Sequence, residues 1–333
     1  MMKAYIVALA LVGLLVLSGC SDGGDETASN WDTFIGGTQG VSLRFETEAP
    51  PTEVNVGDQF NAVVILENQG EYTVPAGEYK VRLKGFSPAE FSTTSDALEW
   101  TTAESDADGE VLQGSEMNPD TGETIEPYPV YVTLPHDGML VYTGSIAGNT
   151  PFPFLAELCY RYETTANAKL CIKDDLTKAS DTKVCTISGA QDITSSGAPV
   201  QITAFKEFSG GKDAVRFSFT IIAASTGGEV SIKDEDTPAS CGKSRNDQDK
   251  LFVTVETGIP GLQCNGFISG PEDSDDDSFE EGYIKLSGGS RQVTCTQNVD
   301  EDLKGDYVKI VTITAAYDYE QSVSSNVLVK QIS

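Results

Sequence analysis

Histidine is almost absent, with one residue in 333. That leaves no His-rich zinc site, no H-E-x-x-H pair and a single imidazole for any proton transfer. Basic residues are scarce as well: 22 Lys and Arg stand against 51 Asp and Glu, a formal charge of −29. Phosphate backbones repel such a chain, so non-specific nucleic-acid binding is excluded. An anionic lipid surface would repel it too, unless a covalent anchor holds it there. No Cys pair has C-x-x-C spacing, and no P-loop or G-x-G-x-x-G occurs. None of the Asn residues lies in an N-x-[ST] sequon. Apolar residues reach only 39%, yet 14 Phe and 12 Tyr are too many for a disordered chain. The length suggests about two domains.

What is present begins with an address. Lys3 supplies a positive start, and Tyr5 to Leu17 form an apolar run of thirteen residues. A membrane helix needs about 20, so the run reads as a signal peptide, residues 1–19. It ends in Leu17-Ser18-Gly19-Cys20. That ending resembles the lipobox of prokaryotic lipoproteins, which implies acylation of Cys20 and anchorage to a membrane through it. Two or three acyl chains, at about 0.8 kcal/mol per buried CH₂, anchor a protein stably. Residues 20–37 then form the acylated Cys and a flexible tether rich in Gly, Ser, Asp and Thr, with Trp31, Phe34 and Ile35 available to dock on a folded body.

Beyond the tether the pattern is that of strands. Val41, Leu43 and Phe45 alternate with polar neighbours, as do Phe60, Ala62, Val64 and Leu66, and then Tyr79, Val81 and Leu83. Period-two alternation marks half-buried antiparallel strands. Asn68-Gln69-Gly70 and Pro75-Ala76-Gly77 read as turns. The best helical segment is Asp96 to Glu104. Val200, Ile202 and Ala204 open a second series, followed by Val215 to Ile221 and Leu251 to Val255. Tyr307 to Tyr317 is apolar on both faces and therefore expected at the centre of a sheet. A turn near Tyr319-Glu320 would precede a last strand from Ser324. The expectation is all-β: two Ig-like antiparallel β-sandwich domains, residues 38–190 and 198–333, divided by the Ser, Gly and Thr stretch between Thr186 and Pro199.

Val56-Gly57-Asp58-Gln59-Phe60 running to Asn68-Gln69-Gly70 resembles the B-strand region of Ig-like modules in prokaryotic surface proteins, the CARDB-type and S-layer-associated modules. Pro199 to Ile221 resembles it more loosely. The resemblance implies extracellular adhesion or envelope scaffolding and carries no catalytic residues.

Setting Cys20 aside leaves six cysteines: Cys159, Cys171, Cys185, Cys241, Cys264 and Cys295. An even number without paired spacing indicates structural disulfides in an oxidising compartment rather than a thiolate metal site. A hairpin over Pro153–Lys173 with Thr165 at its tip would set Leu158 against Ile172 and Cys159 against Cys171. The expected bridges are Cys159–Cys171, Cys264–Cys295 and, by elimination, Cys185–Cys241.

Two acidic loops are weak calcium candidates. Asp273, Asp275 and Asp277 have the 1, 3, 5 spacing of a calcium loop, but Ile284 stands where its twelfth ligand should be. Glu104, Asp106 and Asp108 precede Gly109 correctly, but the twelfth position is Ser115. Solvated loops are the preferred reading, and no cofactor is expected. His136, in Leu134-Pro135-His136-Asp137-Gly138, reads as a turn residue.

The sequence thus points to a lipid-anchored, surface-exposed binding, adhesion or envelope-structural module without catalytic activity. It would sit on the extracytoplasmic face of the membrane with a protein or polysaccharide partner. The alternatives are a lipoprotein enzyme, a solute-binding protein, or a filament subunit using the tether as a donor strand.

Overall fold

The computed structural model describes residues 34–101, 110–175, 177, 184–187, 189–225, 227–233, 241–268 and 278–331. Their regular structure is almost entirely strand. In chain order come β1 (Val41–Phe45), β2 (Glu53–Asn55), β3 (Gln59–Phe60), β4 (Ala62–Asn68), β5 (Tyr79–Lys84), β6 (Glu99–Thr101), β7 (Glu116–Met117), β8 (Thr124–Ile125), β9 (Val130–Leu134), β10 (Leu140–Val141) and β11 (Thr150–Ile172). They continue with β12 (Gly189–Ala190), β13 (Ile193–Ser195), β14 (Val200–Ser209), β15 (Ala214–Ala223), β16 (Gly228–Ser231), β17 (Lys250–Glu256), β18 (Leu262–Asn265), β19 (Phe279–Lys285), β20 (Ser290–Asn298) and β21 (Tyr307–Lys330). Among the described residues no helix is long and apolar enough to cross a membrane. The all-β expectation holds.

Two very long strands organise the rest. β11 and β21 pair antiparallel without interruption, from Thr150↔Val329 to Ile172↔Tyr307. At about 3.4 Å per residue, 23 residues span roughly 75 Å. The first part of β11, Leu155 to Tyr160, also pairs with β5, while Ala166–Ala168 pairs with β13. β21 likewise takes β17 along Thr312–Ala316, β16 along Asp318–Gln321, and β2, in parallel, along Leu328–Lys330. Two further large sheets accompany this one, β1-β4-β9 and β12-β14-β15-β20-β18, together with the two-stranded β10-β3 and the β7–β8 hairpin. The first neighbours β21 through β1 and the second neighbours β11 through β14; these two regions are called the lobes, and the stretch of the long pair around Tyr162 and Tyr317 between them the waist.

This arrangement replaces the expected division at 186–199. Both long strands serve both lobes, β13 of that supposed linker pairs with β11, and the described residues form one compact unit. The Pro153–Lys173 hairpin does not form either. Leu158, Tyr160, Tyr162, Thr164, Ala166, Ala168, Leu170 and Ile172 are all fully buried, so one parity continues straight through Thr165. No Gly or Pro lies between Phe154 and Ile172 to turn the chain, and the β-branched Thr164-Thr165 pair favours extension. Tyr319-Glu320 is likewise mid-strand: Val311 to Tyr319 and then Val327 and Val329 keep one buried parity along β21. β21 lies between β17 and β11, as its two apolar faces require. The expected helix at Asp96 is instead a turn leading into β6, with Glu99 N–H donating to the Asp96 carbonyl at 3.1 Å. A 3-10 turn occurs earlier, at Pro88–Phe91.

The alternation through Val200, Ile202 and Ala204 breaks at its last member. Ala204 has φ +57° and the β14–β15 register shifts between Thr203 and Lys206, so Phe205 takes the buried place. This bulge keeps Phe205 stacked on Phe217, with ring centroids 5.3 Å apart.

Candidate functional site

All six cysteines are bridged, in a different pairing from the expected one. Cys264–Cys295 forms across β18 and β20, where the two residues are direct cross-strand partners. Cys159 instead joins Cys241, and Cys171 joins Cys185. The reason is geometric. Cys159 and Cys171 sit twelve residues apart on one straight strand, about 40 Å, far beyond the reach of a disulfide. Cys20, the tether through Thr33, and both calcium candidates (Glu104, Asp106, Asp108 and Asp273, Asp275, Asp277) lie outside the described residues. His136 is exposed in a turn, with Nε2 3.2 Å from the Asp96 carbonyl.

The odd positions of β11 and the even positions of β21 carry charge beside the Cys159–Cys241 bridge. Glu157 accepts hydrogen bonds from Lys84 Nζ at 2.8 Å and Arg82 Nε at 2.8 Å. Burial disfavours its charge, but those two cations outweigh burial and hold its carboxyl below the usual range. Glu320 lies beside it; burial, reinforced by the Glu157 charge, pushes its carboxyl up despite a bond from Gly242 N–H at 2.6 Å. Arg161 joins Glu78 at 2.9 Å and Asp318 at 3.5 Å, and Lys243 joins Asp318 at 3.2 Å. Gly242 and Lys243 follow Cys241 directly, so bridge and ion pairs together pin that loop to the sheet. A carboxylate oxygen of Glu157 and the two sulfurs lie within 4.8 Å of one another. The sulfurs are bonded to each other and so are not thiolate ligands.

On the inner side, tyrosine hydroxyls tie the lobes to the waist. Val41 N–H donates to Tyr160, and Val200 N–H donates to Tyr317, each at 3.2 Å. Tyr162 donates to Asn68 Oδ1 at 3.0 Å, and Asn68 Nδ2 donates onward to the carbonyls of Tyr72 and Leu112. Gly70 must be glycine: a Cβ there would collide with the Tyr162 hydroxyl and the Gly197 carbonyl. The Asn68-Gln69-Gly70 turn foreseen from the sequence is thus a close junction of three segments.

The chain enters the body at this junction. One carboxylate, Glu71, accepts N–H groups from Ile35 at 3.0 Å, Gly36 at 2.9 Å and Gly197 at 2.5 Å. Gln201 Nε2 holds the Gly37 carbonyl at 2.8 Å. Residues 35–37, expected to belong to a flexible tether, are therefore fixed. Sequence alone did not single out Glu71, because an acid after a turn looks like any other solvated acid.

Next to the junction lies a cleft of about 490 Å³ lined by Phe34, Tyr72, Met117, Pro119, Glu116 and Glu163, with Glu71 at its edge. Two smaller concavities flank the β7–β8 hairpin, about 260 and 460 Å³, and share Glu71, Ser115, Glu116, Glu126 and Pro127 with the first or with each other. Exposed apolar groups border them: Met117, Ile125 and Tyr128, the last 96% exposed. Burial pushes the Glu163 carboxyl up, while the charge of Lys233 works against it. Burial also raises Tyr72, helped by the charges of Glu163 and Glu78 and opposed by Arg161.

No protein-family model matches this chain, and no curated protein matches it. Among solved structures, a partial N-terminal region of an enterococcal surface protein aligns over 90% of this chain and 94% of its own, at 8% identity and a TM-score of 0.17. A likeness so low carries no structural argument.

Proposed function

We propose that this protein is a lipid-anchored, non-catalytic binding or scaffolding module exposed on the outer side of a prokaryotic membrane. The observation that carries the reading is the junction at Glu71. The chain leaving the acylation segment is bonded through Ile35 and Gly36 to the middle of the body, beside the strands that traverse both lobes. A body held at its waist can present two lobes to partners while its anchor bears load. Three disulfides fit an oxidising compartment, where such a body would need covalent reinforcement. The buried carboxylates are engaged with Arg82, Lys84, Arg161 and Lys243 or with backbone N–H groups, an arrangement that serves rigidity.

Metabolic labelling with a fatty-acid analogue tests the anchor. Wild-type chain should incorporate label and fractionate with membranes, and Cys20→Ser should lose both properties. Protease treatment of intact cells should then degrade the wild-type protein. Label retained in Cys20→Ser, or full protection from protease, would overturn the proposal.

A further inference from the structure

We propose that the groove around the β7–β8 hairpin is a binding site for a basic, extended peptide segment of a partner protein. The inference rests on the surface-module reading and names the partner chemistry for it. Three adjoining concavities make one continuous surface, because each shares residues with its neighbours. Its rim carries Glu67, Glu110, Glu116, Glu126 and Glu163, and no Lys or Arg is among the described residues that line it. Glu71 also lies there, but its oxygens are occupied by backbone N–H groups, so it is structural.

The lining is apolar and partly aromatic, formed by Phe34, Tyr72 and Pro119 and bordered by the exposed Met117, Ile125 and Tyr128. Carboxylates over an aromatic and thioether lining match Lys and Arg side chains. Their methylene stems pack on apolar surface while their cationic heads meet acids and ring faces. A neutral glycan would find ring faces here too, but the rim charge would add nothing to its binding. Nearby cations are accounted for. Arg161 is paired with Glu78 and Asp318, and Lys233, which acts on Glu163 from one side, is not among the lining residues. The overall charge of −29 would attract a basic segment to the molecule and speed its association, and the rim carboxylates would direct it to this face.

The test uses the full-length chain in detergent micelles and a synthetic ten-residue peptide alternating Lys or Arg with Leu, with its Glu counterpart and a neutral oligosaccharide as controls. Binding is read by fluorescence anisotropy at moderate salt. The basic peptide should bind and the two controls should not. Glu116 and Glu126 are exposed, so the double variant Glu116→Lys/Glu126→Lys should fold and weaken the peptide about tenfold or more. Asp137→Lys/Glu256→Lys changes net charge equally at exposed positions away from the groove and should weaken it less than about threefold. Equal weakening by both double variants would reduce the effect to general electrostatics and overturn the proposal. So would absence of peptide binding, or binding of the oligosaccharide in its place. Acylation of Cys20 and surface exposure are read separately, so failure here would leave the anchored-module reading standing.

Discussion

Glu207 offers the sharpest check on the energetics of this fold. It lies on β14, fully buried, with Oε1 accepting the Cys171 N–H at 2.9 Å and Oε2 without a partner. Burial pushes its carboxyl from 4.5 up to about 8, against the Cys171 N–H and the charge of Lys173, which pull it down. The folded chain therefore keeps a proton that the unfolded chain releases between those two values. Stability must fall as pH rises through that window and level off above it. The window is about 3.5 pH units, and each unit is worth about 1.4 kcal/mol at most, so the loss is about 3–5 kcal/mol. In Glu207→Gln the amide stands in for the protonated acid. The variant should match wild type near pH 5 and exceed it at pH 8.5 by about 6–10 °C in melting temperature. Thermal unfolding of both proteins across that pH range, with disulfides intact, decides the matter. If Glu207 is instead ionised and stabilised by Lys173, the substitution will lower the melting temperature at pH 8.5, and the reasoning fails. A difference that stays constant with pH would refute it equally.

Four further outcomes follow from the same structure. Peptide mapping without reduction should recover Cys159–Cys241, Cys171–Cys185 and Cys264–Cys295, and any Cys159–Cys171 peptide would contradict the straight course of β11. In the chain-entropy account, removing the bridge that spans 82 residues should cost about 4.5 kcal/mol and the one spanning 14 about 3, so Cys159→Ala/Cys241→Ala should unfold at lower denaturant than Cys171→Ala/Cys185→Ala. Glu71→Ala strands three backbone N–H groups and should destabilise by about 2–3 kcal/mol, with faster hydrogen exchange at Ile35, Gly36 and Gly197. Tyr162→Phe removes the bond to Asn68 and should cost about 1 kcal/mol by chemical denaturation, with little change elsewhere in the core.

Much of the fold was legible because burial on a strand follows parity. Val215, Phe217, Phe219 and Ile221 are all fully buried, as their alternation required, and Leu251, Val253 and Val255 likewise. The same rule, followed further, would have corrected the hairpin. The even positions from Leu158 to Ile172 never change face, and no Gly or Pro lies between them. The complementary pairs found across an imagined tip at Thr165 arose because a long two-faced strand resembles its own reverse. Other features had no local signal. Cys241 meets Cys159 across 82 residues, and Glu71 meets Ile35 and Gly197 from two distant segments, so only tertiary closure determines them. The bulge at Ala204 was hidden too, since Ala fits either face and only the positive φ reveals the slip.

The long strand pair also changes what the two lobes mean. Separate sandwiches on a linker could open one at a time, each protecting its own core. Here, opening the β17 end would strip β21 of its partner along Thr312–Ala316 and unpair β13 from Ala166–Ala168. It would also remove the Val200 bond to Tyr317, whose ring neighbours Tyr162, which in turn holds Asn68 of the other lobe. The cost of opening one lobe is therefore charged to the waist they share, and through Asn68 and Glu71 to the point where the chain enters. Force applied at Ile35 and Gly36 meets that shared region first. The stability of both lobes and the hold on Ile35 and Gly36 thus rest on the same junction, from Tyr317 through Tyr162 and Asn68 to the neighbouring Glu71.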